Sequence, residues 1–153
     1  MSKTFVKYSE AKHGRVFILR LEDGDVVHET IEKFAHEQGI RAAALMAVGG
    51  ADEGSRFVVG PETSRGKEVN PLEHVLSGVH EVAGTGTLFP NEKGEMIIHM
   101  HMAAGRRDQT VTGCIRKGVK VWHVLEVIIF ELLDSTAVRR FEPATGFELM
   151  QPR

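Results

Sequence analysis

The chain changes its hydrophobic period several times, and each change marks an element. Residues 15–21 read RVFILRL between Gly14 and an EDGD cluster. Together with the β-favouring residues from Thr4 onward, they predict a first strand pair over 4–21. Val27, Ile31, Phe34 and Ala35 then recur at helical spacing. Asp25 is placed to cap the N-terminus and Gly39 to follow the last turn, so a helix is expected over about 26–38. From 40 to 48 the residues are small and apolar. Their alanine content allows a helix over 41–47, but the position between a helix stop and Gly49-Gly50 favours a buried strand ended by those glycines. A β pattern resumes at 55–59. The segment PETSRGKEVNPLE is rich in turn formers and charge, which predicts an exposed, mobile loop over 60–70.

Beyond it, GTGTLFP, NEKG and EMIIHMHMA read as strand, tight turn and strand. Residues 105–108 form a second turn and 110–116 a short strand. Residues 119–132 form a long strand whose centre is almost wholly apolar, so it is expected to be buried on both faces. Residues 137–149 supply a further strand, a PATG turn and a short return.

One good helix and about eight strands joined by turns argue for an α+β fold with a mainly antiparallel, mixed sheet and one to two helices. A single domain over 1–153 is expected, with its core at about 13–133. A chain of 153 residues buries roughly two-thirds of its unfolded surface, enough for a core without disulfides. The lone Cys114 excludes an intrachain disulfide in any case. Apolar strand surface exceeds what one helix covers, which points to self-association. Nineteen Lys plus Arg against 21 Asp plus Glu give a net charge of −2, unlike a protein that coats nucleic acid indiscriminately. The longest apolar stretch, 119–133, is interrupted by Lys120, His123, Glu126 and Glu131, so no membrane span is expected. The opening residues MSKTFVKYSEAKHGR lack an apolar leader core, and a cytoplasmic location is the expectation.

The chemistry concentrates in MIIHMHMA. Strand side chains alternate, so His99 and His101 project from one face while Met100 and Met102 take the other. Two imidazoles at this spacing make half a metal site, and Cys114 in the next strand is the natural third ligand. Three protein ligands leave one position open on zinc or a similar divalent transition metal. The plain alternative is an HxH pair that only packs and a cysteine that serves as a small hydrophobe. His80 and His123 are further candidate ligands or partners of ligands. Glu126, a carboxylate in an apolar run, is a candidate for proton handling or for an ion pair with an arginine of a neighbouring strand or subunit. His13, His28, His36 and His74 read as structural or solvated. Arg106, Arg107, Arg116, Lys117 and Lys120 stand against Asp108 alone. Arg106 and Arg107 are candidate anion contacts, although such clusters commonly form a solvated rim. Neither Gly49-Gly50 nor the GTG of 84–86 forms a nucleotide-binding glycine pattern.

The stretch IHMHMAAGRRDQTVTGCIRKGVKVWHVLEVIIFEL resembles the core of the PPC domain shared by plants and prokaryotes. There, an HxH strand is followed by G-R-x-D, a Gly-Gly-His step and a long strand. RLEDGDVVHETIEKFAHEQGI resembles the family's opening, and RRFEPATGFELM its end. The resemblance implies an α+β domain that assembles as a homotrimer, with zinc held by three histidines in prokaryotic members. Here two of those places fall on His99 and His101, and Cys114 stands where the third histidine is expected. The resemblance also implies a DNA-binding or transcription-linked role. Plant members reach DNA through AT-hooks outside the domain, and this chain has no such hook. Three functions are therefore in competition: a DNA-associated trimer, a small metal-dependent enzyme acting on a small molecule, and an interaction scaffold.

Overall fold

The computed structural model describes residues 6–66 and 69–152. Its frame is an eight-stranded sheet in the order β1-β8-β2-β5-β6-β7-β3-β4. The strands are β1 (Lys12–Glu22), β2 (Ala43–Ala51), β3 (Arg56–Pro61), β4 (Pro71–Val75), β5 (His80–Pro90), β6 (Met96–Arg106), β7 (Gln109–Cys114) and β8 (Val121–Leu133). All ladders are antiparallel. A separate hairpin joins β9 (Val138–Glu142) to β10 (Phe147–Gln151) across the PATG turn. The one helix among the described residues, α1 (Val27–Glu37), buries Val27, Ile31 and Ala35 against the core face of the sheet. A full burial of this kind is worth about 1.5–3 kcal/mol for a Val or Ile side chain. It is too short and too polar to cross a membrane.

Several expectations change in detail. Residues 6–11 are not strand, and residues 1–5 lie outside those described, so β1 is one long strand rather than a pair. Asp25 does not cap α1. Its carboxylate instead accepts the Glu22 N–H at 2.9 Å, closing the turn before the helix. The helix's first N–H donates to the Val119 carbonyl at 3.0 Å, so a neighbouring segment replaces the side-chain cap. Gly39 does follow the helix in a left-handed conformation, at φ 66°. Gly49 and Gly50 do not end β2, but lie inside it at a bulge opposite β8. A Cβ at Gly49 would sit 2.3 Å from the Val124 carbonyl oxygen, so only glycine lets the two strands close there. In the 60–70 segment, Gly60 and Pro61 close β3 and Gly60 is half-buried, residues 61–66 and 69–70 are exposed, and residues 67 and 68 lie outside those described.

The largest correction concerns β8, which is not buried on both faces. Val121, Leu125, Val127 and Ile129 are buried, while Val124, Glu126, Ile128 and Phe130 alternate with them on an incompletely covered face. Helix α1 lies on one side of the sheet, and among the described residues no element covers β8 and its neighbours on the other. Ile18 is 84% exposed there, and Met46 and Val48 are each 56% exposed.

Two local features hold the frame. The Glu131 carboxylate is buried and paired with Arg15, which donates from Nε at 2.7 Å, from Nη2 at 2.6 Å and from its backbone N at 3.1 Å. These hydrogen bonds hold the Glu131 pKa below the ordinary carboxylate value. On β5, Gly84 and Gly86 leave room for Met102 and Met100. A Cβ at Gly86 would meet Met100 Cβ at 2.6 Å and the His99 carbonyl oxygen at 2.8 Å.

Because Glu131's pKa is lower folded than unfolded, its contribution is present above the unfolded value and is lost as pH falls through the folded value. Glu131→Gln should therefore lower the melting temperature at neutral pH, and the gap from the parent should close as pH drops below the carboxylate range. Thermal melts across that range test this. Gly86→Ala should cost about 1–3 kcal/mol by overpacking against β6, measured by urea denaturation.

Candidate metal centre

In β6 the burial alternates as the sequence predicts. Ile98, Met100 and Met102 are buried in the core, and His99 and His101 point to the open face. β7 returns beside β6 so that Cys114 is the register partner of His101. The two histidines face away from the core, whereas Cys114 is buried. The Nε2 atoms of His99 and His101 are 3.1 Å apart, and their rings stand nearly perpendicular at 83°. The candidate ligand atoms of His99, His101 and Cys114 all lie within 4.8 Å of one another. Two nitrogens on one tetrahedral zinc, each at about 2.0–2.1 Å, would be about 3.3 Å apart. The histidine pair already has that separation, and the donor set of two imidazoles and a thiol suits a zinc-class ion.

The surroundings favour the ligating form of His99. Partial burial lowers the His99 pKa first, and the positive charges of His101, Arg139 and Arg116 lower it further, which keeps the ring neutral as a ligand must be. Arg116 Nε donates to Cys114 Sγ at 3.2 Å, so a guanidinium stands directly beside the candidate sulfur ligand. Arg139 reaches over from β9. Its Nη2 donates to Thr87 Oγ1 at 3.0 Å, and Thr87 is the register partner of His99.

The remaining candidates lie elsewhere. Glu126 is exposed on β8, in register with Arg20 and Val48. β2 and β5 separate β8 from β6, a span of about 14 Å at ordinary strand spacing, so Glu126 is not beside the histidines. His123 occupies a left-handed position at φ 58°. Its N–H donates to Asp23 at 2.7 Å, and its ring meets Trp122 edge-on, with centroids 4.4 Å apart. His80 Nδ1 lies 2.9 Å from the Gly78 carbonyl. Arg106 donates to the Val79 carbonyl at 2.7 Å, and Arg107 turns the chain at φ 57°. Both arginines border a separate hollow with His80 and Trp122.

Two residues escaped the sequence reading. His28 is not simply solvated, because its Nδ1 is buried without a hydrogen-bond partner in the cleft beside His99. Arg139 is buried, and nothing in the string VRRF distinguishes it from Arg140.

Comparison with known proteins agrees with this architecture. A metal-containing protein of Archaeoglobus fulgidus superposes with a TM-score of 0.80 at 26% identity, covering 94% of this chain and 98% of that one. A plant- and prokaryote-conserved (PPC) protein of Pyrococcus horikoshii gives a TM-score of 0.82 at 20% identity, covering 97% and 99%. A candidate DNA-binding protein of Bacteroides thetaiotaomicron gives 0.73 at 14% identity, covering 92% and 96%. The last two likenesses concern the fold alone. Among curated sequences, the Bifunctional protein GlmU of Synechococcus sp. (strain JA-3-3Ab) is 26% identical over 135 residues, 87% of this chain. The chain spans about a fifth of that relative's length. The model of the Plants and Prokaryotes Conserved (PCC) domain matches residues 8–133, and the chain belongs to that family.

Proposed function

We propose that this chain is a metal-binding domain in which His99, His101 and Cys114 hold one zinc-class divalent ion, leaving a coordination position for a small molecule. The observation that carries this reading is the convergence of two imidazole nitrogens and one thiol within 4.8 Å. The metal-containing Archaeoglobus relative supports it. When bound, such an ion supplies Lewis-acid polarisation of a ligand oxygen. The chain's own residues orient the ligands: β6 presents the histidines, β7 brings in the thiol, and Arg116 offsets its negative charge.

The same proposal includes assembly of three copies through the open sheet face. One cross-strand row there runs Ile18, Ile128, Met46, Thr85, His101 and Cys114, so the exposed apolar patch leads into the metal position. A contiguous apolar face of this kind is covered most simply by another copy of itself.

A DNA-associated role is the second reading. It draws on the name of the Bacteroides relative and on the basic residues of the β6–β7 region. It predicts affinity for duplex DNA that falls steeply with salt, and binding that is absent or indifferent to salt contradicts it.

Elemental analysis of tag-free protein should find about one zinc-class ion per chain. Cys114→Ala should weaken retention by more than about 100-fold, since losing a ligand exceeds the 10–100-fold loss typical of outer contacts. Metal equally retained in the variant, or absent from both after zinc is added back, contradicts the reading. Sedimentation should give a particle of about three times the 16.9 kDa chain mass, and Ile18→Glu, which charges the open face, should dissociate it.

A further inference from the structure

Beside the metal position lies a cleft of about 540 Å³. Its walls come from β6 at Ile97 to His99, from α1 at His28 and Glu32, and from the β9–β10 hairpin. The volume falls in the usual range of small-molecule sites and is far too small for a duplex. The cleft is also electrostatically unusual. Arg139 lines it at only 3% exposure. Its guanidinium donates to the Ile97 carbonyl at 3.2 Å and to Thr87 Oγ1 at 3.0 Å, and lies 6.0 Å from the Phe89 ring centre. Those acceptors are neutral, and among the described residues no carboxylate forms an ion pair with Arg139.

A buried cation without an ion-pair partner is costly, and a guanidinium has five N–H donors to satisfy. Burial lowers the Arg139 pKa first; Arg116, which lines the same cleft, lowers it further, and Glu148 and Cys114 act on it in the opposite direction without forming an ion pair. The Nδ1 of His28 is buried there without a hydrogen-bond partner. Two carboxylates also face the cleft. Glu32 is committed to the Ile98 N–H at 2.9 Å, and Glu148 lies on β10 at the exposed rim. Neither forms an ion pair with either arginine.

We propose that this cleft binds a small organic anion whose carboxylate or phosphate group pairs with Arg139 and Arg116, placing the rest of the molecule at the metal position beside His99. The ligand's reach to the metal rests on the function proposed above, whereas the contact with the arginines does not. A planar guanidinium fork matches both oxyanions. The volume left beyond the charged group accommodates a metabolite-sized body rather than a bare ion.

The test is calorimetric titration of the metal-free full-length chain with inorganic phosphate and, separately, with malonate at constant ionic strength. Saturable binding of about one anion per chain is expected for at least one probe, and the stronger of the two identifies the oxyanion. Arg116→Gln, at an exposed position, should weaken it by about ten-fold or more. Arg139→Gln should do so further, with thermal melts confirming that both variants fold. His101→Ala, which removes a metal ligand, should still bind the anion. Arginine-dependent binding in a chain that retains no metal upholds this proposal while the metal reading fails. Binding seen only in metal-loaded protein and insensitive to Arg116→Gln overturns the proposal while the metal reading stands. Absence of saturable binding of both probes overturns it as well.

Discussion

The two-residue period of β6 divides one hydrophobic run into a core half and a chemical half, and the rest of the molecule depends on that division. Met100 and Met102 turn into the core, where Gly84 and Gly86 of β5 leave space for them. His99 and His101 are thereby committed to the opposite face. A slip of one residue in the β5–β6 register would exchange the two sets, burying imidazoles and exposing methionines. The packing that stabilises the core therefore also aims the ligands. β7 completes the arrangement, because its register sets Cys114 beside His101 rather than beside either core methionine.

A second constraint is the management of charge in a sheet covered on one side. Glu131 is buried but answered by three hydrogen bonds from Arg15, and this ties the edge strand β1 to its neighbour. Arg139 is buried and answered only by neutral acceptors. The first arrangement is complete within the chain and reads as structural. The second is incomplete within the chain, and it adjoins the candidate metal centre. Buried polar groups are ordinarily satisfied, so this contrast separates a group that holds the fold from one that is arranged for a partner.

Much of this was legible in the chain itself, for identifiable reasons. Helical spacing from Val27 to Ala35 and the glycine at 39 locate α1 to within a residue or two. Strand alternation in MIIHMHMA gives the facing of each histidine, and the short return through β7 brings Cys114 to them. Other features were hidden because they depend on long-range partners. The apolar centre of β8 reads as doubly buried, yet in one copy half of its alternating side chains lie on an open face. Asp25 has the chemistry of a helix cap but spends it on the preceding turn. Glu126 looked like the unusual carboxylate of β8, whereas the buried one is Glu131, five residues on. Arg139 and His28 carry no local signal, since each acquires its environment from elements distant in sequence.

Cobalt substitution tests the central claim most directly, because the absorption of bound cobalt reports both coordination number and ligand type. If His99, His101 and Cys114 hold the ion, cobalt added to metal-free protein should give the intense visible bands of four-coordinate geometry together with a sulfur-to-cobalt charge-transfer band. That charge-transfer band should vanish in Cys114→Ala. Weak, six-coordinate bands resembling cobalt in buffer, or a charge-transfer band that survives the loss of the only cysteine in the chain, would contradict it.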